Sequence, residues 1–422
     1  MPAPEHAHLA RPCRVCAANP LSVVLDLGEM PLVDRLQDPG EAPGPPVPLA
    51  LCRCPACGLL QTSHTPPRAQ VFGDRYRYLS SCGDAVVASA RAHAQSLTRD
   101  MQLTPADLVL EIASNDGYQL APFAQLGIQT LGIEPTPTAA RIARQRNIET
   151  REAFFDEALA EQLRAEGVAP RLVIAKNVVA HVDDPVALLR GVARILAPGG
   201  RVVIEAGYAR DLIERAEFDT IYHEHQCYLT ATALADMLAR AGLALTSAER
   251  IRLHGGSLRA EAMHARDVDP HQITSPPPAL LGEEETIGVT TERFVAGYAD
   301  RVQQQIEAIR TAIHRITSEH GPIAAYGAAA KGTVLLNTLG LTTEHIAWVA
   351  DRNTHKHGRL MPGTHQPVVP VERITEDPPP ALLVLAWNFA DEIARQQRAY
   401  LEGGGRLLVP LPEVREITQS SV

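Results

Sequence analysis

One pattern restricts the fold of this 422-residue chain more than any other: short apolar runs closed by turn residues alternate with amphipathic stretches. Leu108-Val109-Leu110-Glu111-Ile112 is closed by Ser114-Asn115-Asp116-Gly117, and Thr130-Leu131-Gly132-Ile133 by Glu134 and Pro135. Arg171-Leu172-Val173-Ile174-Ala175 is a third run, and Gly200-Arg201-Val202-Val203-Ile204-Glu205 a fourth, opened by Pro198-Gly199. Helical spacing fills the gaps, as in Thr138 to Arg146 and Pro185 to Ile195. Short buried strands separated by helices predict a parallel, doubly wound sheet. The same grammar then returns. Gly321 to Tyr326 leads into a glycine turn, Gly327 to Gly332, and Ile346 to Ala350 ends at Asp351 as the earlier second strand ends at Glu134. Ala381 to Ala386 and Gly405 to Val409 complete the set. The fold class is therefore α/β, with two Rossmann-like doubly wound units. Between them lie Pro276 to Pro278 and a helix predicted from about Thr290 to Ile316, with Val302, Ile306, Ile309, Ile313 and Ile316 on one face. That stripe belongs to packing, not to chemistry.

A chain of this length exceeds a single core and is expected to form more than one domain. Cys13, Cys16, Cys52, Cys54 and Cys57 crowd into its start. Cys13 with Cys16, and Cys54 with Cys57, form two knuckles of metal-ligand spacing, and four thiolates fill a tetrahedral zinc shell without leaving an open position. The proline-rich loop Glu41 to Pro48 accounts for the long gap between knuckles, and Cys52 breaks the spacing and is left out. Reduced, buried cysteines are the plain alternative. The expected domains are a zinc-binding module (1–75), a cofactor domain (76–285) and a C-terminal Rossmann-like domain (286–422). A net charge of −10 argues against general binding to nucleic acid or membrane surfaces. No apolar stretch approaches bilayer length, and Met1 to Arg11 carries prolines and histidines where a signal peptide needs an apolar core. A cytoplasmic protein is expected.

Ile221-Tyr222-His223-Glu224-His225 concentrates a phenol, two imidazoles and a carboxylate in an aromatic-poor chain. Such a block offers a base near neutral pH, an acid to orient it and a hydroxyl for an oxyanion. Glu111-Ile112-Ala113-Ser114-Asn115-Asp116-Gly117 resembles the first motif of class I methyltransferases that use S-adenosylmethionine. There the turn brings backbone close to the cofactor, and Ala113 stands where that family usually has glycine. Glu134, at the end of the second strand, is placed for both ribose hydroxyls. The rival reading is a dinucleotide site, but the turn carries no G-x-G-x-x-G.

Across nearly the whole chain these blocks resemble the sugar C-methyltransferases that act on nucleotide-linked ketosugars in antibiotic pathways. The match includes the knuckles with Cys57-Gly58-Leu59-Leu60-Gln61, Tyr76 to Ser81, Glu111 to Tyr118, and Gly132-Ile133-Glu134-Pro135. It continues through Lys176-Asn177 to Val182, Tyr222 to His225, His254 to Arg259, Tyr326 to Gly332, Pro362 to His365 and Leu385 to Phe389. Ala329 stands where the family tends to proline; Cys227, Leu229 and Gln366 also depart from its usual residues, and these three leave the identity of the substrate open.

The resemblance implies methyl transfer from S-adenosylmethionine to an enolisable carbon, C3, of a thymidine-diphosphate 4-keto-deoxysugar, with a structural zinc ion. Its cofactor site comprises Glu111, Ala113, Ser114, Asn115, Asp116, Gly117, Glu134, Pro135 and Asn177. Enolate formation needs a base and donors for the oxyanion. His225 is the expected base; Tyr222, Tyr76 and His181 are expected donors; Glu224 orients an imidazole or binds a sugar hydroxyl. Expected substrate contacts are Tyr78, Ser81, His254, Ser257 and Arg259, with Lys331 and Arg352 for the diphosphate. Lys356 and Arg359 fit either that role or a solvated loop, and His223 fits scaffolding. Two rivals stand beside this: the same chemistry on another enolisable carbonyl, and a non-enzymatic zinc-module binding protein. The sequence does not fix the oligomeric state, a monomer being one option.

Overall fold

The computed structural model describes residues 11–72, 76, 78–252, 255–268 and 279–421. The proline cluster Pro276 to Pro278 and the expected substrate contact His254 lie outside the described residues. The chain forms two compact units. One holds the described residues of Met1–Ser22, Cys52–Arg210 and His225–Ala296; the other holds those of Val23–Leu51, Asp211–Glu224 and Gly297–Val422.

In the first unit the sheet strands are β1 (Leu108–Ile112), β2 (Gln129–Ile133), β3 (Thr150–Arg151), β4 (Leu172–Lys176), β5 (Arg201–Gly207), β6 (Leu243–Ile251) and β7 (Ser257–His264). They lie in the order β3-β2-β1-β4-β5-β7-β6. The first five pair in parallel and β7 runs antiparallel to both β5 and β6. Val109, Leu110, Leu172, Val173, Ile174, Val202 and Val203 are fully buried, as parallel strands covered on both faces require. The order reverses between β1 and β4, so a crevice opens beyond their carboxyl ends. Residues 113–117 and 177–181 sit there. Asp184, just past this edge, caps helix Pro185–Ile195 by accepting the Ala187 N–H at 2.8 Å. The same unit contains the strand Leu60–Thr62, which pairs antiparallel with Cys227–Tyr228.

The second unit carries β8 (Ile323–Tyr326), β9 (Ile346–Ala350), β10 (Val368–Val369), β11 (Leu382–Val384), β12 (Leu407–Val409) and β13 (Arg415–Ile417), in the order β10-β9-β8-β11-β12-β13. All pair in parallel except the edge strand β13. The helix expected from Thr290 starts instead at Tyr298 and runs to His320. Gly297, at φ 68°, adopts a left-handed turn that separates it from a short 3-10 segment, Glu292–Val295. Its five-residue apolar stripe is buried, joined by Tyr298.

Glycine is required at one position that shapes the site. A Cβ on Gly132 of β2 would stand 2.4 Å from Ser114 Oγ and 3.0 Å from its Cβ. Gly132→Ala is expected to push the 113–117 turn away from β2 and destabilise the first unit by about 1–3 kcal/mol. Denaturant unfolding checks this, and an unchanged midpoint would mean that the turn yields freely.

Candidate active site

The turn after β1 is wound tightly: Ala113, Asn115 and Gly117 have φ of 54°, 49° and 78°. Ala113 therefore adopts the left-handed conformation that glycine would take without strain, at a cost of about 1–2 kcal/mol. Glu134 clamps this turn. Its carboxylate accepts the Asn115 N–H at 2.8 Å on one oxygen, and the Thr136 N–H (2.8 Å) and hydroxyl (2.5 Å) on the other. The segment 78–81 straps the turn from outside. Asn115 accepts the Ser80 N–H at 2.9 Å and donates to the Tyr78 carbonyl at 3.1 Å, while Ser81 Oγ donates to Asp116 at 2.5 Å. Arg146 lies 3.2 Å from the same Asp116 carboxylate. Tyr78 and Ser81, expected at the substrate, thus touch the turn.

Behind the turn lies a layer of buried charge. Lys176 is 3.3 Å from Glu205, and Arg259 donates to Glu205 at 3.1 and 3.0 Å and to Glu249 at 3.2 Å. The Arg259 guanidinium, expected at the substrate, is occupied by these acids. Ser257, at the start of β7, is fully buried opposite Gly207. Burial pushes the Glu111 carboxyl well up despite the attraction of Lys176. Asn177, at φ 51°, donates its N–H to the Glu205 carbonyl at 2.6 Å. Glu111 Oε2, Ser114 Oγ and Asp116 Oδ1 are buried without a hydrogen-bond partner among the described residues. Glu134 keeps acceptor capacity on the oxygen that takes only one N–H. Unused acceptors converging on a tight turn fit a cofactor that brings hydroxyl and ammonium donors, as S-adenosylmethionine does.

His181 ends a short 3-10 turn after β4, Val179–His181. Its ring meets that of His225 at 4.8 Å between centroids and 85° between planes. Phe72 lies 5.9 Å from His181 and 5.4 Å from Tyr76, with Tyr78 a further 6.5 Å on; Tyr228 is 6.0 Å from His225. Burial lowers the His181 pKa to about 4, so the ring is neutral at physiological pH, and its Nδ1 is buried without a partner among the described residues. Phe72 went unnoticed in the sequence because it belongs to no recognisable motif.

Tyr222 and Glu224 belong to the second unit. Glu224 is buried there against Asp34, a residue with no sequence signal beyond its turn-rich surroundings. Loss of hydration pushes both carboxyls up, Glu224 the further because Asp34 also repels its charged form, and Lys356 partly offsets this. His223 is buried, with Nε2 3.2 Å from the carbonyls of Val47 and Pro48. Lys331 lies 4.4 Å over the Trp387 ring and donates to Asn388 Oδ1 at 2.9 Å. Trp387 Nε1 in turn donates to Asp219 at 2.7 Å. Burial raises the Asp219 pKa to about 6 and that of Glu217 to about 8, with Lys331 opposing both shifts. Arg352, 42% exposed, is 3.7 Å from Glu392. Lys356 is buried, donating to the Ala328 carbonyl at 2.7 Å, and Arg359 is 3.6 Å from Asp38. Gln366 is fully buried and satisfied by the Leu341 carbonyl and Thr364 hydroxyl, so this departure serves a turn. Cys227 likewise is buried beside the Val179 carbonyl.

Cys13, Cys16, Cys54 and Cys57 bring their sulfurs within 4.8 Å of one another, the pairs Cys13–Cys57 and Cys16–Cys54 at 3.5 Å. Zinc–sulfur bonds of about 2.3 Å in a tetrahedron require edges of about 3.8 Å. The set fits zinc and closes its shell. Cys52, though fully buried, is not part of it.

Two outcomes follow from this geometry. Glu134→Ala removes the clamp on Asn115 along with the free acceptor, so calorimetry with S-adenosylhomocysteine should show affinity weakened by roughly 5- to 150-fold, the equivalent of about 1–3 kcal/mol. Undiminished binding would place the cofactor elsewhere. His181 should not titrate by NMR between about pH 5 and 8, since an unfolded histidine gains its proton near 6.5 and the folded ring only near 4. Stability held by the neutral ring is accordingly lost as pH falls through that interval.

Comparison with known proteins places this geometry in a lineage. Family models described as a zinc binding domain, a methyltransferase domain and a C-methyltransferase C-terminal domain match residues 13–72, 90–248 and 252–412. The chain is 32% identical to the C-methyltransferase NovU of Streptomyces niveus over 97% of both proteins. A ubiquinone biosynthesis O-methyltransferase of Caulobacter sp. (strain K31) is 36% identical over 101 residues, 23% of this chain and 39% of that one. Among solved structures, the magnesium protoporphyrin IX methyltransferase of Synechocystis PCC 6803 overlaps 42% of this chain and 83% of its own, at 17% identity and a TM-score of 0.35. No helix among the described residues is long and apolar enough to cross a membrane. With identity to NovU running from end to end and zinc, methyltransferase and C-terminal models matched in sequence, the chain belongs to the S-adenosylmethionine-dependent C-methyltransferases that carry an N-terminal zinc-binding domain.

Proposed function

We propose that this enzyme methylates C3 of a thymidine-diphosphate-linked 4-keto-deoxysugar through an enolate, in the cytoplasm, as a step in building an antibiotic sugar. The observation that carries this reading is the perpendicular pair of His181 and His225 beyond the carboxyl edge of the first sheet, bordered by Phe72, Tyr76 and Tyr228. A carbon acid beside a ketone needs one group to take its proton and others to hold the oxyanion. S-adenosylmethionine, when bound, supplies an electrophilic methyl group. The protein must make the carbon nucleophilic.

His225 takes the C3 proton. His181, neutral because it is buried, carries one N–H and donates it to the ketone oxygen as charge develops there; a ring with a pKa of about 4 is too weak to compete as the base. Tyr76 is a further donor to that oxygen. Glu224, pushed up by burial and already hydrogen-bonded to Asp34, is less suited to orient an imidazole or to donate to a sugar hydroxyl. Glu111, Ser114, Asp116, Glu134 and Asn177 hold the cofactor. Arg352, the most exposed of the expected diphosphate ligands, pairs with the diphosphate. Lys331 is less suited to that task, because its charge already faces Asp219 and Glu217.

The test joins turnover to proton exchange. His225→Asn removes the basic nitrogen while keeping the side chain's size, so turnover with a thymidine-diphosphate 4-keto sugar should fall by roughly 10²–10⁴-fold with binding retained. Exchange of the C3 proton with deuterated solvent should fall with it. Normal turnover would remove His225 as the base. Methylation of a simple enolisable ketone but of no nucleotide sugar would overturn the substrate class.

A further inference from the structure

The zinc knuckles and the two histidines belong to one compact unit, and a continuous series of short bonds runs between them. Arg14 sits inside the first knuckle, between Cys13 and Cys16, and only 2% of its charged side chain is exposed. Its backbone N–H donates to Gln61 Oε1 at 3.0 Å, Nη1 donates to the Thr62 carbonyl at 3.2 Å, and Nη2 bonds the Thr65 hydroxyl. Its Nε lies 3.9 Å from Asp183, two positions beyond His181. Gln61 donates to the Pro12 carbonyl at 3.3 Å. The strand Leu60–Thr62 leaves the second knuckle, where the Cys54 N–H donates to the Leu59 carbonyl at 2.8 Å. It pairs with Cys227–Tyr228, and the Thr62 N–H donates to the Gln226 carbonyl at 3.1 Å. Gln226 is buried, donating its N–H to the Ala180 carbonyl at 2.7 Å and its side-chain amide to the His181 carbonyl at 3.2 Å. The backbone beside each histidine is thus tied, through a few residues, to a neighbour of a zinc ligand.

We propose that the zinc site is a positioning device for the His181–His225 pair, with Arg14 and Gln226 as the positioning residues; this rests on the reading of those histidines as catalytic. Thiolates gathered on zinc keep both knuckles closed, and closed knuckles present Arg14 and the strand Leu60–Thr62 together. Without the ion the loops 13–16 and 54–57 lose their common anchor, because the free energy of binding is folding free energy for such modules. The buried Arg14 guanidinium holds the knuckle against Thr65 and against Thr62, on the strand that leads to Gln226, and approaches Asp183 as well. The demand on geometry is strict, since a displacement of about 1 Å in a reacting group costs on the order of 10²-fold in rate.

The test uses the full-length protein, stripped of zinc by a chelator. Amide hydrogen exchange is followed at residues 179–182 and 226–229, the two imidazoles are followed by NMR, and S-adenosylhomocysteine binding by calorimetry. Exchange in both segments should quicken by about ten-fold or more, as local opening becomes easier. Both ring signals should shift. S-adenosylhomocysteine should still bind, which shows that the 113–117 turn of the stripped protein remains folded. Should the stripped protein unfold, Arg14→Met decides: it keeps four thiolates and an apolar stem but frees Thr62 and Asp183. That variant should retain about one zinc per chain and still show the faster exchange and shifted rings. Gln226→Leu should shift the His181 ring with zinc content intact. Unchanged exchange and ring signals in folded stripped protein, or in folded Arg14→Met, overturn the proposal. Normal turnover of His225→Asn would instead sink the catalytic reading alone, since neither readout depends on turnover.

Discussion

Glu134 accepts the N–H of Asn115 at 2.8 Å, and Asp351 accepts the N–H of Ala328 at 2.7 Å. In each unit the acid that follows the second strand thereby satisfies a backbone donor in the loop that ends the first. Each also accepts the N–H two residues after itself, from Thr136 and from Asn353. Loops that end parallel strands turn sharply, and sharp turns strand N–H groups that cannot join a ladder. A buried donor left unpaired costs about 1–3 kcal/mol, as much as the strain of a left-handed alanine. One carboxylate settles several such groups at once. The crevice at each topological switch point can be narrow because its floor is fixed from the neighbouring strand.

Much of this was legible in the sequence. Apolar runs closed by turn residues mark buried parallel strands whatever the tertiary context, so both sheets could be read from Leu108 and Ile323 onward. The equivalence of Glu134 and Asp351 was visible as an acid ending each second strand, and the cysteine spacing identified the zinc ligands because coordination geometry leaves few alternatives. The start of the long helix was misread. Its apolar stripe continues the right period, but Gly297 in a left-handed turn stops the helix short of Thr290, and local propensity does not reveal a φ.

The partners of the site's charged groups were not legible. Arg259 and Lys331 looked available to a substrate because a sequence shows a charge without its neighbour. In the fold Arg259 meets Glu205 and Glu249, and Lys331 meets Trp387 and Asn388. Glu205 is an apolar strand's last acid, Asp219 lies in a short 3-10 turn, and Asp34 belongs to no motif. Such contacts are made across many residues of sequence and carry no local period. Phe72 and Gln226 were missed for the same reason: their importance lies in what they touch.

The two units use one grammar for different electrostatics, and that difference bears on what each can hold. The first turn leaves one buried oxygen each of Glu111, Ser114 and Asp116 unpaired among the described residues. Unpaired buried oxygens favour a ligand that brings polar groups to meet them. At the matching position the second unit places a lysine over an indole and faces it with Asp219 and Glu217, whose pKa values are raised to about 6 and about 8. A cation on an aromatic face is only partly compensated, so nearby acids must supply the rest, and burial limits how many of them ionise together. In this cluster Glu217 Oε1, Asp219 Oδ1 and Asn388 Nδ2 are likewise buried without a hydrogen-bond partner among the described residues. The Trp387 indole, donating to Asp219 at 2.7 Å, ties down the 217–219 segment that runs directly into Tyr222 and Glu224. The lysine of this cluster is buried, whereas Arg352, just past the second strand, keeps 42% of its side chain exposed.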